Sequence, residues 1–365
     1  MSNTRTRRLH ELGQRLWLDS IKRELLDDGT LARYIEELSL TGLTSNPTIF
    51  EAAIDKGHAY DESIRERCRD NPSSEELFVE LALQDLTRAA DLFRPTFDAS
   101  GGIDGWVSLE VSPLLAENTA GTIESAAELH RRAARPNLLI KIPGTPQGLP
   151  AIEQSIFAGI PINVTLLFSR AQYLAAADAY MRGLERRHAA GLDLAIESFA
   201  SLFVSRWDVA VKDRVAPSLR NRLGIAVAMQ TYRAYRDLLS SERWRKLAAA
   251  GARPQRVLWA STGTKDPAAA DTLYVTALAA PDTINTLPEK TLLAFADHGA
   301  VGSVLPRDGG DADSVLDEFR RQGVDDEALA ARLQRDGVDA FLVSWRELMF
   351  RIGQKCSSHA FAPRT

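Results

Sequence analysis

Short apolar segments alternate with longer amphipathic segments along most of the chain. The short segments predict eight strands, which are RLWLDS (15–20), GLTSNP (42–47), GWVSLEVS (105–112), NLLIKIP (137–143), PINVTLLF (161–168), LDLAIESFASLF (within 192–203), RVLWAST (256–262) and DTINTLP (282–288). Strands that are separated by helices indicate βαβ units and a parallel sheet. About eight such units in one chain predict the α/β fold of a single closed (β/α)8 TIM barrel.

Helix starts can be located from capping signals between these strands. Ser73 and Glu76 have the spacing of a capping box, and an apolar helical run follows to Phe93. The segment 169–172 repeats this pattern directly after the fifth strand, and 149–157 predicts a short helix after the fourth. We therefore expect an N-terminal tail (1–14) that is mobile to about His10, a catalytic barrel (15–305), and C-terminal helices (306–365) packed on it.

Polar side chains interrupt the apolar pattern near the carboxyl ends of several strands. Because successive residues of a strand face opposite sides, each of these polar positions belongs to one face of its strand. Active sites of (β/α)8 barrels are built at this end of the barrel. The polar set is Asp19, Asn46, Glu110, Lys141, Asn163, Thr165 and Ser261.

Lys141 lies between Ile140 and Ile142 in the fourth strand, where a charge is costly to bury. Three explanations are open: the amine forms an ion pair, or the side chain reaches solvent at the end of the strand, or the amine serves as an uncharged nucleophile. A structural ion pair with Glu110 is the plain alternative to a catalytic role. Asn46, which precedes Pro47, could be a turn residue and have no functional role. Asp19 could likewise serve only as a helix cap.

Composition and charge indicate which kinds of binding partner and which cellular compartment are expected for the chain. The chain has 365 residues, of which 45% are hydrophobic and 25% charged, with a formal net charge of −5. This charge gives no indication of binding to nucleic acid or to an anionic membrane, and no apolar run reaches the length of a membrane span. Two cysteines and the lack of a secretory signal favour a reducing cytoplasm.

A buried lysine with carboxylates nearby suggests Schiff-base chemistry. The neutral amine attacks a ketone, and the resulting iminium ion accepts the electrons of a neighbouring C–C bond that breaks. A carboxylate must move protons on and off the carbinolamine and the substrate hydroxyls. Asp19 and Glu110 are the candidates for this role.

Four segments together resemble the transaldolase family, and they are GLTSNPTIF, NLLIKIPGTPQGLPAIEQ, INVTLLFS and RVLWASTGTKDP. The resemblance runs from about Leu16 to His298 and is closest to the longer bacterial form. It implies transfer of a dihydroxyacetone unit from sedoheptulose 7-phosphate to glyceraldehyde 3-phosphate, a step of the non-oxidative pentose phosphate pathway. It implies no metal and no organic cofactor. The sequence does not decide between a monomer and a homodimer.

The resemblance also assigns roles to individual residues. It implies that Lys141 forms the Schiff base, that Asp19 is the acid/base, and that Glu110 and Thr165 order a catalytic water. Contacts to the substrate are implied for the residues Asn46, Asn163, Ser201, Arg206 and Ser261. Many members of the family have an arginine shortly after the serine that matches Ser261, whereas this chain has Lys265 there. We therefore assign Lys265 as the second cation that binds the substrate phosphate.

Phe203 shares a strand face with Ser201, and an apolar ring there would deny a nearby water its hydrogen-bond partner. The plain alternative for Phe203 is ordinary barrel core, and for Arg206 and Lys265 it is two solvated surface cations.

Three other functions compete with transfer. A related Schiff-base aldolase of the fructose 6-phosphate type would release dihydroxyacetone instead of transferring it, but the enzymes of that kind are shorter. A metal-dependent lyase would need clustered ligands, and the six histidines form no i,i+2 or i,i+4 pair. A non-catalytic sugar-phosphate binding barrel would be expected to lose Lys141 or its carboxylate, and both are present.

Overall fold

The structure, a computed structural model, describes residues 3–360, except for the side chains of residues 56 and 358–360. Its eight strands are all parallel and close into a barrel in chain order. They are β1 (Gln14–Asp19), β2 (Leu40–Thr44), β3 (Trp106–Glu110), β4 (Leu138–Pro143), β5 (Ile162–Leu167), β6 (Ser198–Phe203), β7 (Arg256–Ala260) and β8 (Thr283–Leu287). The prediction of a (β/α)8 barrel is confirmed.

Sixteen α-helices are formed within residues 3–360 and surround or cover the barrel. They are α1 (Thr4–Leu12), α2 (Arg23–Asp27), α3 (Thr30–Glu37), α4 (Pro47–Lys56), α5 (Asp61–Arg67), α6 (Ser74–Ala99), α7 (Thr119–Ala133), α8 (Gly148–Phe157), α9 (Arg170–Ala189), α10 (Ser205–Val211), α11 (Leu223–Leu239), α12 (Glu242–Ala249), α13 (Leu273–Ala277), α14 (Glu289–His298), α15 (Ala312–Arg321) and α16 (Asp326–Ala360). Short 3₁₀ turns occupy Cys68–Asp70, Pro113–Leu115 and Pro217–Leu219. None of the helices in this part of the chain is long and apolar enough to cross a bilayer.

The strands have apolar side chains on both faces because helices cover the outside and side chains fill the inside. Ile140 and Ile142 of β4 pack in the core shared with the surrounding helices. Leu139 packs in a second core with Trp17 and Phe199, whose ring centroids are 4.8 Å apart. Alternation along β4 therefore places Lys141 on the same, inward side as Leu139.

The N-terminal segment requires a correction, because residues 4–12 form helix α1 where a mobile tail was predicted. The Asn3 side chain accepts hydrogen bonds from the backbone amides of Arg5 (2.9 Å) and Thr6 (3.2 Å) and so caps the helix. Its amide donates to the carbonyl oxygen of Ala296 at 2.8 Å, and Leu9 is fully buried. Contacts with α14 hold α1 against the barrel. Because these contacts join residues that are far apart in sequence, no local sequence pattern predicts them.

The two cysteines also differ from the expectation of a reduced pair. Cys68 and Cys356 form a disulfide in the structure, with their Cα atoms 5.5 Å apart and a sequence separation of 288 residues. Cys68 follows α5, whereas Cys356 lies near the end of α16. The bond therefore connects the last helix to the segment that follows β2 on the outside of the barrel.

Candidate active site

A cavity of about 450 Å³ opens at the carboxyl ends of the strands. Nine of the eleven predicted site residues line it, and they are Asp19, Asn46, Lys141, Thr165, Ser201, Phe203, Arg206, Ser261 and Lys265. They come from six of the eight strands or from the loops and helices that directly follow them. The parallel barrel brings them together because all its strands end at the same face.

Lys141 lies at the floor of this cavity and is only 4% exposed. Its Nζ atom donates a hydrogen bond to the carbonyl oxygen of Ser45 at 3.1 Å. The same atom is 3.2 Å from Oε2 of Glu110, which β3–β4 pairing places directly opposite Lys141. The amine is thus held in a fixed position, between a carbonyl and a carboxyl group, with access to the cavity.

Two carboxyl groups approach this lysine from different strands. Burial raises the pKa of the Asp19 carboxyl above its usual value, although the Lys141 charge and a hydrogen bond from Thr44 oppose the shift. Burial likewise raises the pKa of the Glu110 carboxyl against the effect of Lys141. Both groups are therefore easier to protonate than exposed carboxyls, which suits groups that exchange protons during a reaction.

Asn163 does not line the cavity but lies beneath it, fully buried. Its amide donates to Oγ of Ser108 at 3.0 Å, and its Oδ1 accepts from Oγ of Ser201 at 2.7 Å. Asn163 therefore orients Ser201, which does reach the cavity. Thr165, two residues further along β5, has a buried hydroxyl with no hydrogen-bond partner within residues 3–360. That hydroxyl is free to bind a water or a substrate atom.

Asn46 combines its two possible roles. Its Oδ1 accepts a hydrogen bond from the backbone amide of Ile49 at 3.1 Å and caps α4. Its amide nitrogen remains available to the cavity that the residue lines. The cap thus fixes the side chain in an orientation in which the amide can donate to a ligand.

The opposite side of the cavity is cationic. The guanidinium carbon of Arg206 lies 4.9 Å from the ring centroid of Phe203 and 6.0 Å from that of Phe341. Within the described part of the chain, the guanidinium of Arg206 forms no ion pair and no hydrogen bond. Burial lowers the pKa of Arg206, while the carboxyl groups of Asp19 and Glu110 act in the other direction. A half-buried arginine without a partner, between two rings, is suited to bind an anion.

Ser261 and Lys265 complete the cationic side. Ser261 has the left-handed backbone angle φ of +56°, and its Oγ is 3.1 Å from Oγ of Ser205. Such strained residues occur mainly where the surrounding structure needs a side chain in one orientation. Lys265 is exposed and lines the cavity. The phosphate-binding roles of both residues stay predictions.

Thr44 and Phe341 are two of the nine cavity-lining residues that the sequence reasoning missed. Thr44 donates from Oγ1 to Oδ1 of Asp19 at 2.9 Å, and its position two residues before Asn46 at a strand end was a usable signal. Phe341 lines the cavity from helix α16, far away in sequence, and no local pattern distinguishes it from core. The last helix, predicted only to pack on the barrel, therefore contributes to the site.

Comparisons with known proteins agree with this geometry. The family model described as Transaldolase/Fructose-6-phosphate aldolase matches residues 16–352. A protein from Thermobifida fusca named transaldolase is 46% identical over 360 residues, with 96% of this chain and 98% of that protein covered. Proteins with the same name from Arthrobacter sp. and Thiobacillus denitrificans are 45% and 46% identical, covering 95% of this chain and 96% and 99% of their own. The chain thus belongs to the transaldolase/fructose-6-phosphate aldolase family.

Proposed function

We propose that this chain is a transaldolase that transfers a dihydroxyacetone unit between sugar phosphates through a Schiff base on Lys141. The observation that carries the proposal is the Lys141 amine, buried at the cavity floor 3.2 Å from Glu110 and facing the same cavity as the unpartnered Arg206. An amine nucleophile and an anion site in one cavity suit a phosphorylated ketose.

In the first half-reaction, the neutral Lys141 amine attacks the ketone carbon of the donor sugar and forms a carbinolamine. Glu110 supplies the proton with which the carbinolamine hydroxyl leaves as water, and this gives the iminium ion. The free hydroxyl of Thr165 supports the proposal that Thr165 and Glu110 hold this water. Burial raises the pKa of the Glu110 carboxyl, so this group carries a proton to donate more readily than an exposed carboxyl does.

Cleavage of the donor then uses Asp19. Its carboxylate removes the proton from the C4 hydroxyl of the sugar, and the C3–C4 bond breaks. The electron pair of that bond moves into the iminium and gives an enamine. The aldehyde leaves, a second aldehyde takes its place, and the same steps run in reverse. The hydrogen bond from Thr44 fixes the orientation of the Asp19 carboxylate during these proton transfers.

The sugar is oriented from both ends in this proposal. Asn46 and Ser201 contact the dihydroxyacetone hydroxyls, and Asn163 holds Ser201. Arg206, Ser261 and Lys265 bind the phosphate at the other end. Guanidinium groups bind phosphate through two parallel hydrogen bonds, which supports the choice of Arg206 as the main contact.

Borohydride trapping with fructose 6-phosphate tests the proposal. Wild-type protein should gain a covalent adduct on the peptide that contains Lys141, and Lys141→Met should abolish it. Lys265→Met is the matched control, because it removes another lysine of the same cavity and should still form the adduct. An adduct that persists in Lys141→Met would reject the assignment. Assays with and without an acceptor aldehyde then separate transfer from release of free dihydroxyacetone.

We also propose that the substrates are sugar phosphates that the chain meets in the cytoplasm, where it works as a monomer or a homodimer. Size-exclusion chromatography with light scattering distinguishes these two states.

A further inference from the structure

Helix α16 lies directly across the candidate active site. Gln334, Gly337 and Phe341 are three and four residues apart, so they share one face of this helix. A Cβ atom at Gly337 would lie 2.9 Å from Cδ2 of Leu166 and 3.2 Å from Nη1 of Arg206. This close approach brings the helix backbone against β5 and against the cationic side of the cavity.

Gln334 spans two barrel strands from this position. Its Nε2 donates to the carbonyl oxygen of Gly144 at 3.0 Å and to that of Leu166 at 2.9 Å. Gly144 directly follows β4, which carries Lys141, and Leu166 directly follows Thr165 in β5. Gln334 itself is only 9% exposed, so its two hydrogen bonds are shielded from water.

The backbone at Leu166 is where this support is needed. Leu166 has a φ of +58°, a left-handed conformation that costs a residue with a Cβ about 1–2 kcal/mol. The β5–β6 register is irregular between Val164 and Leu167, so the regular ladder is interrupted around Thr165. The carbonyl oxygen of Thr165 accepts from the amide of Gly144 at 2.8 Å. Three hydrogen bonds therefore join residues 144, 165, 166 and 334.

We propose that Gln334 is a positioning residue that fixes Thr165 through the carbonyl oxygens of Gly144 and Leu166. Without its amide, β5 can relax toward regular strand geometry at Leu166. The side chain of Thr165 would then turn away from the place where it holds water beside Glu110. This role rests on the proposed function, because it acts on the formation and breakdown of the carbinolamine.

A double-mutant cycle with Thr165→Val tests the proposal. The measured quantity is the rate at which the borohydride-trappable adduct forms with fructose 6-phosphate. Gln334→Leu should slow this rate about tenfold in the wild-type background and hardly at all in Thr165→Val, since coupled residues are not additive. An equal slowing in both backgrounds would show that Gln334 does not act through Thr165.

Ser344→Ala is the matched control. Ser344 also lies on α16 and shares a 2.8 Å hydrogen bond with Thr48, outside the Gln334 network. Loss of this exposed bond should leave adduct formation unchanged. A slowing as large as that of Gln334→Leu would overturn the proposal, because any loosening of α16 would then suffice.

Gln334→Glu supplies a second readout and replaces the leucine variant if that variant does not fold. An ionised carboxylate cannot donate to the two carbonyl oxygens, whereas a protonated carboxyl can donate to one of them. The rate of Gln334→Glu relative to wild type should therefore rise as the pH falls, and a pH-independent ratio would contradict the proposal. Absence of any adduct in wild-type protein would instead reject the proposed function itself.

Discussion

The arginines at the two ends of the barrel differ in whether they are paired with a carboxylate. At the amino end, Arg256 contacts Asp104 (3.3 Å) and Glu197 (3.3 Å), and Arg15 contacts Asp104 at 2.6 Å. Arg253 reaches Glu197 at 3.4 Å. At the carboxyl end, Arg206 has no ion pair within residues 3–360. Lys141 does contact Glu110 at 3.2 Å at that end, so it is the arginines that differ: those at the amino end are paired with carboxylates, whereas Arg206 is left available.

The presence or absence of an oppositely charged partner indicates which of these charges stabilise the fold. A charge whose neighbours satisfy it stabilises the fold only modestly, but it destabilises the fold strongly if one partner is removed. A charge without a partner contributes nothing that the fold requires, and its desolvation is offset only when a ligand binds. Residue type alone would assign both clusters the same importance, so substitutions at the two ends should separate their effects on stability and on activity.

The largest expected contrast is between Asp19→Ala and Asp104→Ala. Asp19→Ala should lower kcat by about 10²–10⁴-fold, the usual contribution of a general acid/base. It should leave the melting temperature almost unchanged and still form the borohydride-trappable adduct. Asp104→Ala should leave Arg15 without a carboxylate and Arg256 with Glu197 alone, and it should lower the free energy of unfolding by about 3–5 kcal/mol. Assays of activity and of urea unfolding on both proteins check this. Wild-type turnover in Asp19→Ala would reject its catalytic role.

Arg206→Ala and Arg253→Ala form the second pair. Arg206→Ala should weaken binding of phosphorylated donors by about 2 kcal/mol or more, since a buried charge-assisted contact is lost. Unphosphorylated analogues should be little affected. Arg253→Ala should reduce stability and leave this preference unchanged. The ratio of kcat/KM for phosphorylated and unphosphorylated donors is the measurement. An equal loss for both donors would make Arg206 structural.

The third contrast is in pH dependence. Burial raises the pKa of Glu197 from its usual 4.5 to about 7, although Arg256 and Arg253 oppose the shift. The folded state therefore binds a proton more tightly than the unfolded state does between these values. Stability from this group is fully present below pH 4.5 and declines as the pH rises to about 7.

Glu197→Gln should remove this decline. The free energy of unfolding of wild type, measured relative to Glu197→Gln, should fall between pH 5 and pH 7 by at most about 3 kcal/mol. Urea titrations of both proteins at the two pH values test it. A difference that grows with rising pH would show that the arginine pairs outweigh burial at this carboxyl.

The smallest expected effect is at Phe203, whose ring is 7% exposed and packs 5.2 Å from that of Phe168. We hypothesise that Phe203→Tyr adds a hydroxyl able to orient a water near the enamine on Lys141. Release of free dihydroxyacetone should then rise relative to formation of erythrose 4-phosphate, with the fold little changed. An unchanged ratio in a well-folded variant would show that Phe203 is ordinary core.

Much of the barrel was determined by the sequence. None of the eight strands extends more than two residues beyond its predicted segment, because the apolar runs are short, local and bounded by turn residues. The helix after Ser73 begins where the capping box predicted it, with both reciprocal hydrogen bonds formed. Polar residues at strand ends marked the face of the barrel where the cavity opens, since alternation and the barrel rule require only local information.

Tertiary structure alone decided the remaining features. Helix α1 depends on contacts of Asn3 with Ala296, and the disulfide joins cysteines 288 residues apart. The hydrogen bonds of Gln334 with Gly144 and Leu166, and the place of Phe341 in the cavity, depend on where α16 crosses the barrel. A helix pattern specifies which residues share a face, but not which surface that face meets. For the same reason, the sequence placed arginines at both ends of the barrel, and only the packed structure distinguished the arginines that are paired with carboxylates from Arg206, which is left open for a ligand.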